Sequence, residues 1–437
     1  MKKKYVLKKS FKKKLFQLGV ILILIIILKN LFDFRFVDIK FENKIKVYFS
    51  KDNVSCIISN TSPTLSDEWV VSNNKVCILD YKEGFNNIYI KYEDNITNIT
   101  EDKIFNIDLN DKDTIYIAKG DEYIYLNGLI GNIEKFKYDI SDKNVIEFKD
   151  GIIKGIENGT SNLNISADKE YSVKVVVTDL ITSNYLSDSF DFDKEELKCG
   201  IYSKEENDLL DKILKDRIND AGYKTRAGAV EAARFLMLEF PYKINYFHEN
   251  GRQTTNNVDG EGRYYHEGLY LHESRFENIT SKKTGSKTWG CSMFSEPQNK
   301  YMDNGLNCSG FVSWVLLNAG FDVKDVGAGF SNNSDLTDFG ELVKLSDSTI
   351  NNIKVGDLLH SEHSGGHIGI IIGKDKDYIY VAQALWRMAP ISLTKRSDNL
   401  NAVQITKYTY KEIQKVLPDL VMMDKLYKED GNLTNMW

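Results

Sequence analysis

Cysteine and proline are both scarce in this chain, five of each among 437 residues. Five cysteines, at positions 56, 77, 199, 291 and 308, permit two disulfides at most and leave one thiol over. Two readings stand side by side: pairing of Cys56 with Cys77 and of Cys199 with Cys291, or five reduced residues filling small core gaps. Cys308 is free in both. Excess positive charge is also missing beyond the first fourteen residues. Those fourteen carry eight lysines and no acid; without them the formal net charge of −6 becomes −14. So acidic a remainder argues against nucleic acid as a partner. After the apolar run 15–28 there is no small-x-small cleavage site, and no cysteine close enough for lipid attachment.

The apolar run, extended to Phe32 if Lys29 snorkels, covers eighteen residues and about 27 Å as a helix, enough to span a bilayer core. Lysines on one side only put the N-terminus in the cytoplasm. Residues 1–14 are thus read as a cytoplasmic tail and 15–32 as an uncleaved transmembrane anchor, with everything beyond it extracellular. A cleaved signal peptide is the competing reading.

Helical periodicity is absent from about residue 36 to 180. Short β-type runs stand there between Asn, Asp and Gly: Lys44–Phe49, Glu68–Val71, Lys75–Leu79 and Asn87–Tyr92, then Thr114–Ala118, Tyr123–Leu126, Val145–Phe148, Gly151–Ile156, Ser161–Ser166 and Tyr171–Val177. Strands so spaced predict β-sandwiches. The second set carries Asp142-Lys143-Asn144-Val145-Ile146, Gly151 to Ile156, Gly159-Thr160-Ser161 and Val175-Val176-Val177. In that order these motifs resemble bacterial Ig-like domains of the type-2 family. Residues 109–180 are read as one such domain and 33–108 as a diverged copy. The resemblance implies wall or carbohydrate binding, or a spacer role. Residues 181–222 form a helical connector, with a capping box at Ser203–Glu206 ahead of Leu209, Leu210, Ile213 and Leu214. A second helix is expected from Gly228 to Phe240, stopped by Pro241.

The chemistry is concentrated in Asn307-Cys308-Ser309-Gly310 and His367-Ile368-Gly369-Ile370. Phe311, Val312, Val315, Leu316 and Ala319 recur at helical spacing, and Gly320 is a natural stop, so Cys308 opens a helix. There the helix dipole and unpaired N–H groups favour a thiolate and can stabilise an oxyanion. His367 opens an apolar strand. That pairing suits a thiol nucleophile with an imidazole that takes its proton and returns it to the leaving amine.

Phe240-Pro241-Tyr242, the Cys308 segment, Val355-Gly356-Asp357-Leu358-Leu359, the His367 segment and Ala382-Gln383-Ala384 follow one another in the order of NlpC/P60-type cysteine peptidases. Residues 228–395 resemble that family. The resemblance implies a papain-like α+β domain, placed at 223–437, in a multidomain chain. It makes Cys308 the nucleophile, His367 the base and Gln383 the residue orienting the imidazole. Tyr242 becomes an aid to the oxyanion, with core packing as its alternative, and Asn307, Ser309 and Trp289 become substrate-binding residues. Asn307 stands where the family usually has Asp, which puts the usual stem-peptide specificity in question. About 65 residues separate Tyr242 from Cys308, more than in relatives. This insertion, 250–305, is expected to border the cleft as a lid or wall, against the alternative of a peripheral subdomain. His360 and His363 read with His367 do not make a zinc site, because Gly365-Gly366 breaks the helix such spacing needs. No metal or organic cofactor is expected. The implied activity is hydrolysis of amide bonds in peptidoglycan stem peptides through a thioester, with the cell wall as partner, on the outer face of the cell membrane. An acyl or peptidyl transferase and a non-catalytic wall-binding scaffold are the rival readings.

Overall fold

Strands outnumber helices in this molecule; some alternate buried and exposed side chains, as Gly159–Ser166 and Glu170–Val177 do, and others are buried on both faces, as His367–Lys374 is. The computed structural model describes residues 44–48, 54–72, 76–80, 87–92, 95–100, 112–125, 129–130, 137–149, 151–166, 170–182, 194–248, 267–276, 285–295, 298–321, 323, 326, 333–362, 366–386 and 402–433. Of these, the residues up to Ile115, with Glu122–Lys154 and Ser161–Lys174, form one unit. Tyr116–Asp121, Gly155–Thr160 and the residues from Val175 onward form the other.

The first unit is all β. Strands Val70–Ser72, Val54–Ile58, Asn87–Tyr92 and Asn95–Thr100 lie in that order in one antiparallel sheet. Val76–Asp80, Lys44–Tyr48 and Leu129–Ile130 make another. A Cys56–Cys77 disulfide joins strands of the two sheets. Further along, Lys137–Ile140 pairs antiparallel with Leu163–Ser166, and Glu122–Lys154 contains the pairing of Glu122–Ile124 with Ile152–Lys154. Val54–Ile58 and Asn95–Thr100 escape a sequence reading because Val-Ser-Cys-Ile-Ile does not alternate cleanly and Asn-Ile-Thr-Asn-Ile-Thr looks like loop composition.

The second unit begins with α1 (Lys204–Ala221), whose Ser203 capping box forms as the sequence indicates. Leu210, Ile213, Leu214 and Ile218 make its buried stripe. Gly222, at φ 122°, ends it. Helix α2 (Arg226–Arg234) follows, capped by Thr225 and rich in buried alanine. A Cβ on Gly228 would come within 2.3 Å of the Gly222 carbonyl oxygen, so only glycine allows this tight corner. The helix does not run on to Phe240 in one form: Phe235–Glu239 is a π-helical turn, a local widening common near functional sites. Helix α3 (Cys308–Asn318) is buried nearly all round, the mark of a central helix.

Helices α2 and α3 cover one face of a six-stranded antiparallel sheet, and α1 packs on α2. Its strands are β1 (Glu341–Lys344), β2 (Leu358–Ser361), β3 (His367–Lys374), β4 (Tyr378–Leu385), β5 (Ala402–Thr409) and β6 (Asp419–Met422), in the spatial order β1-β6-β2-β3-β4-β5. Ile368, Ile370, Ile372, Ala382 and Ala384 join the core of α2 and α3. Leu359, Ile371 and Val381 face the other way, onto Tyr408, Ile413 and Leu417. The register shift in β3 between Ile371 and Gly373 turns out the Ile372 carbonyl, which accepts from buried Arg234 at 2.8 Å.

Arg226 ties the start of α2 to the sheet and the C-terminus. It is 1% exposed and donates to Asp357 at 2.7 Å, Asp424 at 2.5 Å and Asp430 at 3.1 Å. Its guanidinium lies 4.8 Å from the Tyr427 ring centroid. This is the physical content of Gly356-Asp357-Leu358. Gly356, at φ 95°, lets the chain turn where a Cβ would strike Arg226, and Asp357 accepts from Arg226 and from the Met423 N–H.

Two expectations are corrected here. Residues 15–32 lie outside the described residues, and among the described residues no helix is long and apolar enough to cross a membrane. The single-pass anchor is therefore without support among the described residues, and so are the cell-membrane location and extracellular placement built on it. The α+β papain-like architecture is likewise not what is found: strand accounts for 37% and helix for 24%, so β-sheet dominates. The motifs behind that expectation are short. They constrain a helix start and two strand starts, whereas the balance of elements is set by sheet pairings many residues apart.

Candidate functional site

Asn307 decides where α3 begins. Its backbone is extended (φ −86°, ψ 178°), and its Oδ1 accepts from the Gly310 N–H at 2.6 Å. The Ser309 hydroxyl donates to the same oxygen at 3.3 Å, while Nδ2 donates to the His248 carbonyl at 2.6 Å. Both ends of this buried amide are therefore used inside the protein. Asn307 and Ser309, expected at the sequence level to bind substrate, are committed to the cap. An aspartate could cap the helix but could not donate to His248, and it would set a negative charge against the thiol.

Cys308 is the free cysteine, buried in the first turn of α3. Burial alone pushes its thiol pKa up. The hydrogen bond and charge of His367, with N–H groups of Ile368 and Ser309, outweigh burial and hold it below the ordinary value. His367 mirrors this. Burial pushes the imidazole down, but the bond and charge of Cys308, then Gln383, raise it above its ordinary value. Both directions favour a thiolate beside an imidazolium over the neutral pair. Gly310 N–H is taken by the cap and Ser309 N–H by the sulfur, which leaves the Cys308 N–H at the helix end for a developing oxyanion.

His367 Nε2 donates to Gln383 Oε1 at 2.7 Å, and Gln383 Nε2 donates to the Tyr408 hydroxyl at 2.9 Å. With Nε2 held this way, Nδ1 is the ring nitrogen left to serve the thiol. Gln383 is fully buried on β4, beside β3, and Tyr408 comes from β5. The glycine two residues beyond His367 has a steric cause: a Cβ at Gly369 would lie 2.8 Å from Val381 Cγ1 and 3.0 Å from Gln383 Cβ. Gln383→Ala is expected to reduce turnover roughly tenfold or more by freeing the imidazole. Gly369→Ala should lower turnover by displacing Gln383 while Cys308 still alkylates. Steady-state rates alongside iodoacetamide labelling check both; unchanged turnover in either variant would count against this chain of contacts.

Asn307→Asp is expected to raise the pH at which Cys308 becomes reactive. Its alkylation rate at pH 6 should fall about tenfold through a carboxylate placed beside the thiolate. A pH series of labelling rates measures this, and an unmoved profile would contradict the electrostatic role given to the amide.

Other expected site residues are placed elsewhere. Tyr242 packs its ring against Tyr202 and Phe240, at centroid distances of 6.0 and 6.3 Å. Trp289, 1% exposed, lies between Tyr270 and Trp314 in the core. Its insertion is in its described parts neither lid nor separate subdomain: Leu269, Tyr270, Leu271, Trp289 and Met293 share the core of α3. Trp314 donates to the Gly268 carbonyl at 2.9 Å, Asn318 accepts from the Gly268 N–H at 2.7 Å, and a Cys199–Cys291 disulfide holds the far end. Residues 250–266, 277–284 and 296–297 of the insertion lie outside the described residues. His360 is buried 3.8 Å from Asp419, and His363 also falls outside them. Tyr408 was missed at the sequence level, because nothing in a strand pattern shows which hydroxyl a neighbouring strand will use.

No protein-family profile matches the chain, and no curated protein does. Among solved structures, domains 4 and 5 of the S-layer protein SbsC align with 28% of this chain and 99% of their own, at 13% identity and a TM-score of 0.13.

Proposed function

We propose that this protein is a thiol-dependent amide hydrolase acting on the stem peptides of peptidoglycan. The observation that supports it best is the chain Cys308–His367–Gln383–Tyr408 at the start of a buried helix, with the thiol lowered and the imidazole raised. The substrate class rests on the sequence resemblance to NlpC/P60-type peptidases.

In this reading the Cys308 thiolate attacks the amide carbonyl carbon, and the oxyanion is met by the Cys308 N–H. Collapse breaks the C–N bond, the His367 imidazolium gives its proton to the departing amine, and a thioester remains. Neutral His367 then takes a proton from water as the water attacks the thioester. Cys308 leaves as thiolate, His367 is again protonated, and the carboxylate product departs. Gln383 keeps the ring turned toward sulfur through both steps.

The test is incubation of the full chain with purified cell walls, with products read by mass spectrometry and Cys308→Ala as control. New amine and carboxylate ends that depend on Cys308 are the expected result. Absence of any such fragment from walls of several chemotypes would sink the hydrolase reading. A product with a new amide in place of a free carboxylate would identify a transferase instead.

A further inference from the structure

Next to the residues that precede Cys308 runs a segment whose aromatic side chains have no role in the proposed reaction. Tyr246, His248 and Trp386 pack together at centroid distances of 5.1 Å (Tyr246–His248), 4.8 Å (His248–Trp386) and 5.4 Å (Tyr246–Trp386). Their position is tied to the catalytic groups from both sides. On one side the Leu306 N–H donates to the Asn245 carbonyl at 2.9 Å, and the Asn307 amide donates to the His248 carbonyl at 2.6 Å. These bonds pin the segment along the residues just before Cys308. On the other side Trp386 directly follows β4, three residues after Gln383.

The burial pattern of the segment is informative. Phe247 turns fully into the core, while Tyr246 and His248 on either side of it are only half-buried, as is Trp386. Three large rings are thus gathered outside the core and not within it. Among the described residues His248 Nε2 has no hydrogen-bond partner and is out of contact with solvent, a state that costs on the order of 1–3 kcal/mol for a polar atom. Burial, then the charge of Lys300, hold this imidazole below its ordinary pKa, so it is neutral near pH 7.

We propose that Tyr246, His248 and Trp386 form a subsite for an uncharged pyranose ring, an N-acetylated amino sugar of the glycan to which the peptide substrate is joined. Tilted aromatic faces offer a sugar's C–H surface a large apolar contact, as Tyr and Trp do wherever a ligand is part apolar and part polar. The unmet nitrogen of His248 pairs with a hydroxyl or acetamido group of a ring that displaces its covering. The three rings themselves carry no negative charge to pair with an ammonium. The glycan assignment rests on the hydrolase reading for its source, but the subsite is defined by binding alone.

The experiment uses the full chain carrying Cys308→Ala, so that nothing is consumed, and titrates three ligands by calorimetry: a disaccharide of N-acetylated amino sugars, the same disaccharide bearing a stem peptide, and the stem peptide alone. The disaccharide-peptide should bind at least tenfold tighter than the peptide, and the disaccharide should bind by itself. Adding Trp386→Ala or His248→Ala should bring the ratio toward one with peptide affinity unchanged, and Trp386→Tyr should keep most of it. Equal affinity for peptide and disaccharide-peptide overturns the proposal. So does equal weakening of both by Trp386→Ala. The first comparison is made with all three rings intact and does not depend on a variant folding. Failure of the hydrolase reading shows separately, as wall digests without Cys308-dependent fragments while the disaccharide still binds.

Discussion

Under the proposed hydrolase reading, Cys308→Ala is expected to abolish amide cleavage, by at least about 10³-fold, because the acyl intermediate of that reading is carried on its thiol. His367→Ala should come close to it, since the same imidazole both stabilises the thiolate and protonates the amine. The pH dependence separates their roles. Cys308 has its pKa lowered, so the thiolate persists below the ordinary thiol range and alkylation falls only when pH drops through that lowered value. His367 has its pKa raised, so its proton remains available above the ordinary histidine range and is lost as pH climbs through the raised value. Cleavage should therefore follow a bell with both limbs displaced outward from those of the free side chains, while alkylation shows only the acid limb. The pair's contribution to stability has the same window. The thiolate's share is lost toward acid and the imidazolium's toward alkali. In His367→Ala the alkylation limb should move up toward an ordinary cysteine. A limb that stays in place would show that the helix end, and not the imidazole, holds the thiolate.

Arg226→Met is expected to be the most destabilising single change away from the site. Three carboxylates meet this guanidinium, but they are unequal. Asp424 and Asp430 are 55% and 72% exposed, and pairs of that kind contribute about 0–1 kcal/mol. Asp357 is 1% exposed, and removing its partner leaves a buried charge uncompensated, a loss of about 3–5 kcal/mol. Urea unfolding of the variants should therefore show a large drop for Arg226→Met and small ones for Asp424→Ala and Asp430→Ala. Arg226→Met combined with Asp357→Leu should recover a good part, because no stranded charge remains. A small effect of Arg226→Met, or no recovery in the double variant, would mean that the motif's aspartate is held by the backbone N–H groups of Met423 and Lys354 alone.

Much of the local structure was legible in the residues. The Ser203 capping box and the start of α3 at Cys308 each depend on neighbours within a few positions, so local chemistry suffices to read them. The same holds for His367 at the head of β3. Legibility failed wherever the deciding contact came from far along the chain. Trp289, rich in nearby glycine and aromatics, looked like a cleft residue, yet Tyr270 and Trp314 enclose it in the core. Asn307 looked like a substrate ligand until His248, fifty-nine residues earlier, appeared as the acceptor of its amide. The long apolar run 15–32 invited a membrane reading that the described helices do not support.

By itself, the sequence determined the candidate pair and its mounting: a cysteine at a helix start and a histidine at a strand start are properties of short segments. Only the tertiary structure decided what surrounds the pair. Gln383 on β4, Tyr408 on β5 and the cap's bond to His248 are set by strand register and close packing. Those depend on which distant segments lie side by side, and no local pattern encodes that.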